Sequence, residues 1–211
     1  MKRNAWGKMA AAILLATGWT ACNDGGGGGG ESHDFGDNDP NVVVALGDSI
    51  TAGYPGGLVP YPAILSSMIA KNVVNAGVGG HTSGEAAARA AGLLNRYHPG
   101  YLIILIGSND AILGIDPRTT SSRIRNIIGL ARSRQTVPIL STLPPMYGPH
   151  SVFAGQAEAI NAAICALAAE EGVQLVNAAA YLDSETYFQS DGLHPNQEGH
   201  QRLATAFANA F

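Results

Sequence analysis

Five short apolar runs punctuate the chain from residue 41 onward, at 42–46, 72–75, 101–106, 137–143 and 173–176. They lack the apolar–polar alternation of a half-exposed strand, so they predict parallel strands covered on both faces. The segments between them repeat at the helical period. Ile124, Ile127, Ile128 and Ala131 follow the i, i+3, i+4, i+7 spacing of one buried helix face. Residues 157–171 are rich in Ala, Ile and Leu and meet a natural stop at Gly172. Pro195 opens a last helical segment in which Leu203, Phe207 and Ala210 share a face. Strands alternating with helices imply right-handed crossovers and one α/β domain over residues 41–211. The expected architecture is a three-layer α/β/α sandwich on a five-stranded parallel sheet.

The first forty residues do not carry this pattern. Lys2, Arg3 and Lys8 flank the start of a short Ala, Ile and Leu run at 9–18, the arrangement of a secretory signal peptide. That run is too short to span a bilayer comfortably. Trp19-Thr20-Ala21-Cys22 then places small residues just before a cysteine. This resembles the lipidation box of bacterial lipoproteins, with Trp19 standing where that pattern prefers Leu. The resemblance implies a signal peptide over residues 1–21, a lipidated Cys22 and export. A membrane is then a partner through Cys22, in the periplasm or cell envelope. Residues 22–40 read as a polar tether containing six consecutive glycines at 25–30. A flexible tether of that length reaches about 25 Å.

Cleavage at this point removes three of the 12 basic residues and none of the 16 acidic ones. The remaining chain is acidic, and offers no footprint for nucleic acid. With Cys22 lipidated, Cys165 is the only thiol left. In its Ala-rich stretch it reads as a small core residue, with neither a disulfide nor a cysteine metal cluster.

In sheets of this class ligands sit outside the carboxyl ends of the strands, and the chemically interesting residues follow those ends. Gly47-Asp48-Ser49 follows the first run, Ala76-Gly77-Val78-Gly79-Gly80 the second, and Gly107-Ser108-Asn109-Asp110 the third. Beyond the fifth comes Asp191-Gly192-Leu193-His194-Pro195. A serine hydroxyl near neutral pH needs a base to take its proton. His194 has that chemistry, and Asp191, one helical turn away, can hold its tautomer. Acyl transfer also needs donors aimed at the oxyanion. The backbone N–H of Gly80, with Gly79 as its near alternative, the Asn109 amide and the Ser49 N–H are the candidates. Each segment alone has an ordinary reading as turn, tight loop or cap.

Together the four segments resemble the SGNH hydrolases, the GDSL esterase and lipase family, over the whole region from Val42 to the last helix. Gly47-Asp48-Ser49-Ile50 matches the nucleophile segment and implies Ser49. Asn75-Ala76-Gly77-Val78-Gly79-Gly80 looks like the second and points to Gly80. Gly107-Ser108-Asn109-Asp110 implicates Asn109, and Asp191-Gly192-Leu193-His194-Pro195 supplies Asp191 and His194. The resemblance implies a flavodoxin-like fold and a carboxylic ester hydrolase. Its acyl-enzyme would form on Ser49 with no metal and no organic cofactor. His81 stands where many members carry Asp. His33, His81, His98, His150 and His200 lack an Asp-x-x-His arrangement and read as surface or loop histidines.

Export argues against cytosolic acyl-CoA as substrate, and the short loops argue against a lidded lipase. Tyr54, Leu58, Val59, Tyr61, Ile112, Leu113, Tyr187 and Phe188 are candidates to line an apolar acyl site. About half of them are expected to be core or rim residues instead. The leading reading is a monomeric small-acyl esterase of lysophospholipase-like type that takes a small ester. Its rivals are an O-acetyl esterase of cell-wall or exopolysaccharide sugars, and a catalytically silent lipoprotein binding glycan or lipid. Outside the glycine tract at 25–30, which follows no predicted strand, neither Gly-x-Gly-x-x-Gly nor a Lys-bearing phosphate loop is present to suggest nucleotide binding.

Overall fold

The first strand, β1 (Asp39–Gly47), turns Val43 and Ala45 to one face of the sheet and Val44 and Leu46 to the other, all four fully buried. A strand packed on both sides has no solvent face for polar residues, which is why it reads as an unbroken apolar run. The computed structural model describes residues 33–211. The signal peptide, Cys22 and the tether up to residue 32 lie outside the described residues.

β2 (Asn72–Gly77), β3 (Pro99–Leu105), β4 (Val137–Ser141) and β5 (Gln174–Val176) complete a five-stranded sheet in the order β2-β1-β3-β4-β5. Every pairing is parallel. One face is covered by α3 (Ser83–Tyr97), α4 (Ser108–Ile112), α5 (Pro117–Arg132) and α6 (Ala154–Glu171). The other is covered by α1 (Ser49–Ala52), α2 (Tyr61–Ile69), α7 (Ala178–Tyr181) and α8 (Gln197–Ala208). Since β2 and β3 flank β1 on opposite sides, the direction of winding reverses there. The crevice this opens lies above the carboxyl ends of β1 and β3.

Several boundaries differ from the sequence reading. β1 begins at Asp39, and Phe35 packs its ring on Tyr101 at 5.3 Å, so residues 33–40 lie against the domain rather than apart from it. β4 stops at Ser141 although its apolar run continues to Leu143. There the Asn161 side chain takes over from a neighbouring strand, accepting from the Leu143 N–H at 2.7 Å and donating to its carbonyl at 3.0 Å. α8 starts at Gln197, because Asn196 caps the Gly199 N–H and Pro195 precedes that cap. Cys165 on α6 is disulfide-bonded, which corrects its reading as a free core thiol.

α8 does most to assemble the site. β5 lies at the edge of the sheet, three strands from β1, yet the chain returns across the face so that α8 docks on α2. Tyr61 and Phe207 stack there with ring centres 5.0 Å apart, both fully buried. Such a pair contributes about 0.5–1.5 kcal/mol beyond the area it buries. This return carries residues 191–194 over the end of β1.

Candidate active site

β1 ends at Gly47, and Asp48 accepts the Ile50 N–H at 2.9 Å, capping the single turn of α1 whose first residue is Ser49. The elbow is pressed against the end of β2. A Cβ at Gly77 would stand 2.2 Å from the Ala52 nitrogen, so only glycine fits there. The Gly47 carbonyl is held from two sides, accepting from the Val78 N–H at 3.1 Å and from the Arg89 guanidinium at 2.7 Å. The backbone just before Ser49 is therefore tied both to the second loop and to α3.

Asp48 is buried, and its second carboxylate oxygen meets no donor among the described residues. Burial pushes its carboxyl from an ordinary 3.8 up to about 7, against the pull of the Ile50 N–H. The native state therefore keeps a proton that the unfolded chain releases near 3.8. Stability falls as pH rises from there to about 7. Asp48→Asn keeps an acceptor for the Ile50 N–H and cannot ionise. The drop in melting temperature between pH 5 and pH 8 should be smaller in Asp48→Asn than in the parent. An unchanged drop would place the ionisation elsewhere.

His194 Nε2 lies 2.9 Å from Ser49 Oγ, and His194 Nδ1 lies 2.6 Å from one Asp191 oxygen. The other Asp191 oxygen accepts the Leu193 and His194 N–H groups at 2.9 and 3.0 Å. Burial alone would raise the Asp191 carboxyl. The bonds from His194 and from these backbone donors outweigh it, and hold the group below the usual carboxylate range. Asp191 thus stays charged where an imidazole titrates, and a carboxylate facing Nδ1 keeps the proton there and leaves Nε2 free to accept. Tyr54 lays its ring against His194 with centres 4.7 Å apart. The Gln189 amide donates to the Tyr54 carbonyl at 3.0 Å and to that of Pro195 at 3.1 Å, joining the loops on either side of the pair.

The second loop turns beside the serine. His81 N–H closes a turn onto the Val78 carbonyl at 3.2 Å, and a Cβ on Gly79 would lie 3.9 Å from Ser49 Cβ. Asn109, in the first turn of α4, donates to the His81 carbonyl at 2.9 Å. An amide nitrogen carries two protons, so one remains for a ligand. Asp110 braces this corner from behind. Fully buried, it accepts from the Ser83 N–H at 2.8 Å, from the Ser83 hydroxyl and from the Thr120 hydroxyl at 3.0 Å. It thereby joins α3, α4 and α5 beneath the loop. Among the described residues, no group of three or more His, Cys, Asp or Glu side chains is arranged to hold a metal.

The structure brings Ser49, Asp191, His194, Asn109 and the Gly79–Gly80 turn together, but divides the proposed acyl lining. Tyr54 and Leu113 are exposed, at 55% and 67%, with Val59 also exposed and Leu58 half-buried. Phe188 is instead a buried core residue with its ring edge-on to Tyr147, and Tyr61 is buried under α8. Tyr187 packs on the core beneath the Arg202 guanidinium at 3.8 Å, and Ile112 packs against the other core cluster. Two histidines also differ from their surface reading. His200 is fully buried, and burial pushes it down to about 4. Its spacing to Leu203 and Phe207 is that of one helix face, a signal that was available. His150 donates from Nδ1 to the Asp191 carbonyl at 2.7 Å, which no local pattern announced.

The family profile described as GDSL-like Lipase/Acylhydrolase matches residues 45–202, three quarters of the chain. The chain belongs to this family. It is 31% identical over 174 residues to the thioesterase 1/protease 1/lysophospholipase L1 of Escherichia coli strain K12, covering 78% of this chain and 80% of that protein. It is 34% identical over 128 residues to the uncharacterized lipoprotein YqeF of Bacillus subtilis strain 168, covering 53% of each. A putative lipolytic protein of the G-D-S-L family from Desulfitobacterium hafniense DCB-2 superposes with a TM-score of 0.72 at 26% identity. That match spans 81% of this chain and 99% of the other. As a GDSL-family member with esterase-type relatives, the chain is a carboxylic ester hydrolase.

Proposed function

We propose that this GDSL hydrolase cleaves small carboxylic esters through an acyl-enzyme on Ser49. The single observation that carries the reading is the unbroken hydrogen-bond chain from Ser49 Oγ through His194 to Asp191. Ser49 Oγ attacks the acyl carbonyl carbon as its proton passes to His194 Nε2. The oxygen that gains the negative charge is met by the Asn109 amide, the Ser49 N–H and the N–H of Gly80. The C–O bond of the ester then breaks, and His194 returns the proton to the departing alcohol. Water enters, gives a proton to His194 and attacks the acyl carbon; the bond from that carbon to Oγ breaks, the acid leaves, and His194 returns the proton to Ser49 Oγ.

Asn109 serves the transition state more than the ground state, because its free N–H meets an oxygen that becomes charged only on attack. Asn109→Ala should lower kcat by about 10² to 10³ with little change in KM. An unchanged kcat with a raised KM would make Asn109 a substrate-binding residue instead.

The exposed Tyr54 beside His194 supports a short acyl or alcohol group at an open rim. Comparing kcat/KM for p-nitrophenyl acetate, butyrate and palmitate, a lysophospholipid, an acetylated xylo-oligosaccharide and an acyl-CoA tests this. A maximum at acetate or butyrate fits the reading. Preference for the sugar acetate would move the assignment to an O-acetyl esterase, and no turnover of any would favour the silent binder.

Export with a lipid on Cys22 belongs to the same proposal, supported by the sequence before Cys22 and by similarity to a lipoprotein. The lipidated protein should partition into detergent. Cys22→Ser should lose palmitate label, and label retained in Cys22→Ser would reject the lipidation.

A further inference from the structure

His150 stands in the connection between β4 and α6, in the 3₁₀ turn Gly148–Phe153, and takes no part in the chemistry just described. Its ring is nonetheless bonded to the triad loop, by Nδ1 to the main-chain carbonyl of Asp191 at 2.7 Å. A carbonyl oxygen only accepts, so His150 holds a proton on Nδ1, and the bond survives whether or not Nε2 is protonated. Three residues earlier in the same connection, the Tyr147 N–H donates to the Gly192 carbonyl at 2.8 Å. A Cβ on Gly192 would stand 2.1 Å from the Tyr147 oxygen, so the two segments are in direct backbone contact.

Apart from the Gln189 amide, which reaches the Tyr54 carbonyl, the Asp191 loop bonds mainly to itself. The Asp191 carboxylate caps the Leu193 and His194 N–H groups, Gly192 N–H bonds to the Gln189 carbonyl, and Gln189 N–H bonds to the His194 carbonyl. None of these ties the loop to another strand-end connection. The Asp191 side chain is about a third exposed, so packing alone does not hold it. The contacts from Tyr147 and His150 add a hold from the β4–α6 connection, and among the described residues only the His150 bond reaches the main chain of Asp191 from another connection.

We propose that His150 is a positioning residue, a latch that fixes the main chain of Asp191 and through it the direction of the carboxylate toward His194. This rests on the reading of Ser49, His194 and Asp191 given above. Among the described residues, His150 makes no bond to Ser49 or to the His194 side chain. It acts on the geometry of a contact whose alignment sets both the tautomer of His194 and the support of its charged form. Displacements on the order of 1 Å in such constellations cost about 10²-fold in rate.

The test compares His150→Ala with His150→Gln, whose side-chain amide can still donate to the Asp191 carbonyl. His150→Ala should lose about tenfold to a hundredfold in kcat on p-nitrophenyl butyrate, with KM changed by less than about twofold. The acid limb of kcat/KM should move to lower pH, because a poorly placed carboxylate supports the imidazolium less. The low-field proton resonance of the His194–Asp191 bond should weaken in His150→Ala and return in His150→Gln, together with most of kcat. A purely structural role would lower the melting temperature and leave the acid limb where it is. A His150→Ala enzyme with parental kcat and an unmoved acid limb overturns the latch, as does equal impairment of Ala and Gln variants. Should His150→Ala not fold, His150→Phe repeats the test with the ring volume kept and the donor gone. Ser49→Ala on the same substrate separates the two levels. Parental activity there would overturn the nucleophile and the latch with it, whereas a dead Ser49→Ala beside an unaffected His150→Ala overturns the latch alone.

Discussion

Ser49→Ala should abolish hydrolysis of p-nitrophenyl butyrate, a loss on the order of 10⁴ to 10⁶ in kcat, with the fold intact. The size follows from what the substitution removes. In the proposed mechanism Oγ forms the covalent bond, and its contact with His194 Nε2 at 2.9 Å is the route by which its proton leaves. The fold should survive because little else depends on that oxygen. Ser49 opens a helical turn whose cap is the Asp48 side chain, and Ala is at ease in a helix. Far-ultraviolet circular dichroism and melting temperature would establish intact folding. A rate within tenfold of the parent would dismiss Ser49 as nucleophile.

The second large effect is expected of Asp191→Asn, about 10⁴ in kcat, although the side chain keeps its shape. The direction of the amide decides the outcome. One Asp191 oxygen accepts two backbone N–H groups, from Leu193 and His194, so the amide carbonyl must occupy that place. The NH₂ group is then left facing His194 Nδ1, where the second carboxylate oxygen lay at 2.6 Å. A donor there forces Nδ1 to accept, which moves the ring proton to Nε2. His194 then presents a proton to Ser49 and cannot take one. Asp191→Asn should therefore bind substrate with a nearly parental KM while turning over very slowly. A rate within tenfold of the parent would mean that His194 keeps its tautomer without the carboxylate.

Much of this arrangement was legible in the chain. β1 is recognisable because burial on both faces leaves no room for polar alternation at residues 43–46. Parallel strands send their carboxyl ends to one side, so loops after three separate runs read as one site before any distance is known. The contact of Ser49 with His194, 145 positions away, depends on α8 docking against α2, and the periodicity of α8 does not reveal that partner. Aromatic character was a poor guide to the rim. Phe188 and Tyr187 have the chemistry of an acyl pocket, but apolarity records burial and not which side of a loop is buried. The loop of His150 follows the fourth run and could be placed near the pocket, but the partner of its ring was illegible for another reason. A histidine in a Pro- and Gly-containing turn has no period to betray its partner, and its bond is to a carbonyl that every residue carries. The Cys165 disulfide escaped for a similar reason, since the Ala-rich helix around it reads as ordinary packing.

The central claim is that the acyl group passes through Ser49 Oγ, and labelling with a fluorophosphonate tests it most directly. The protein should take up one phosphonyl group per chain and lose its esterase activity in step. Peptide mass spectrometry should place the adduct on Ser49, and Ser49→Ala should remain unlabelled. Full inactivation with the adduct on any other residue, or with Ser49 unmodified, would contradict it.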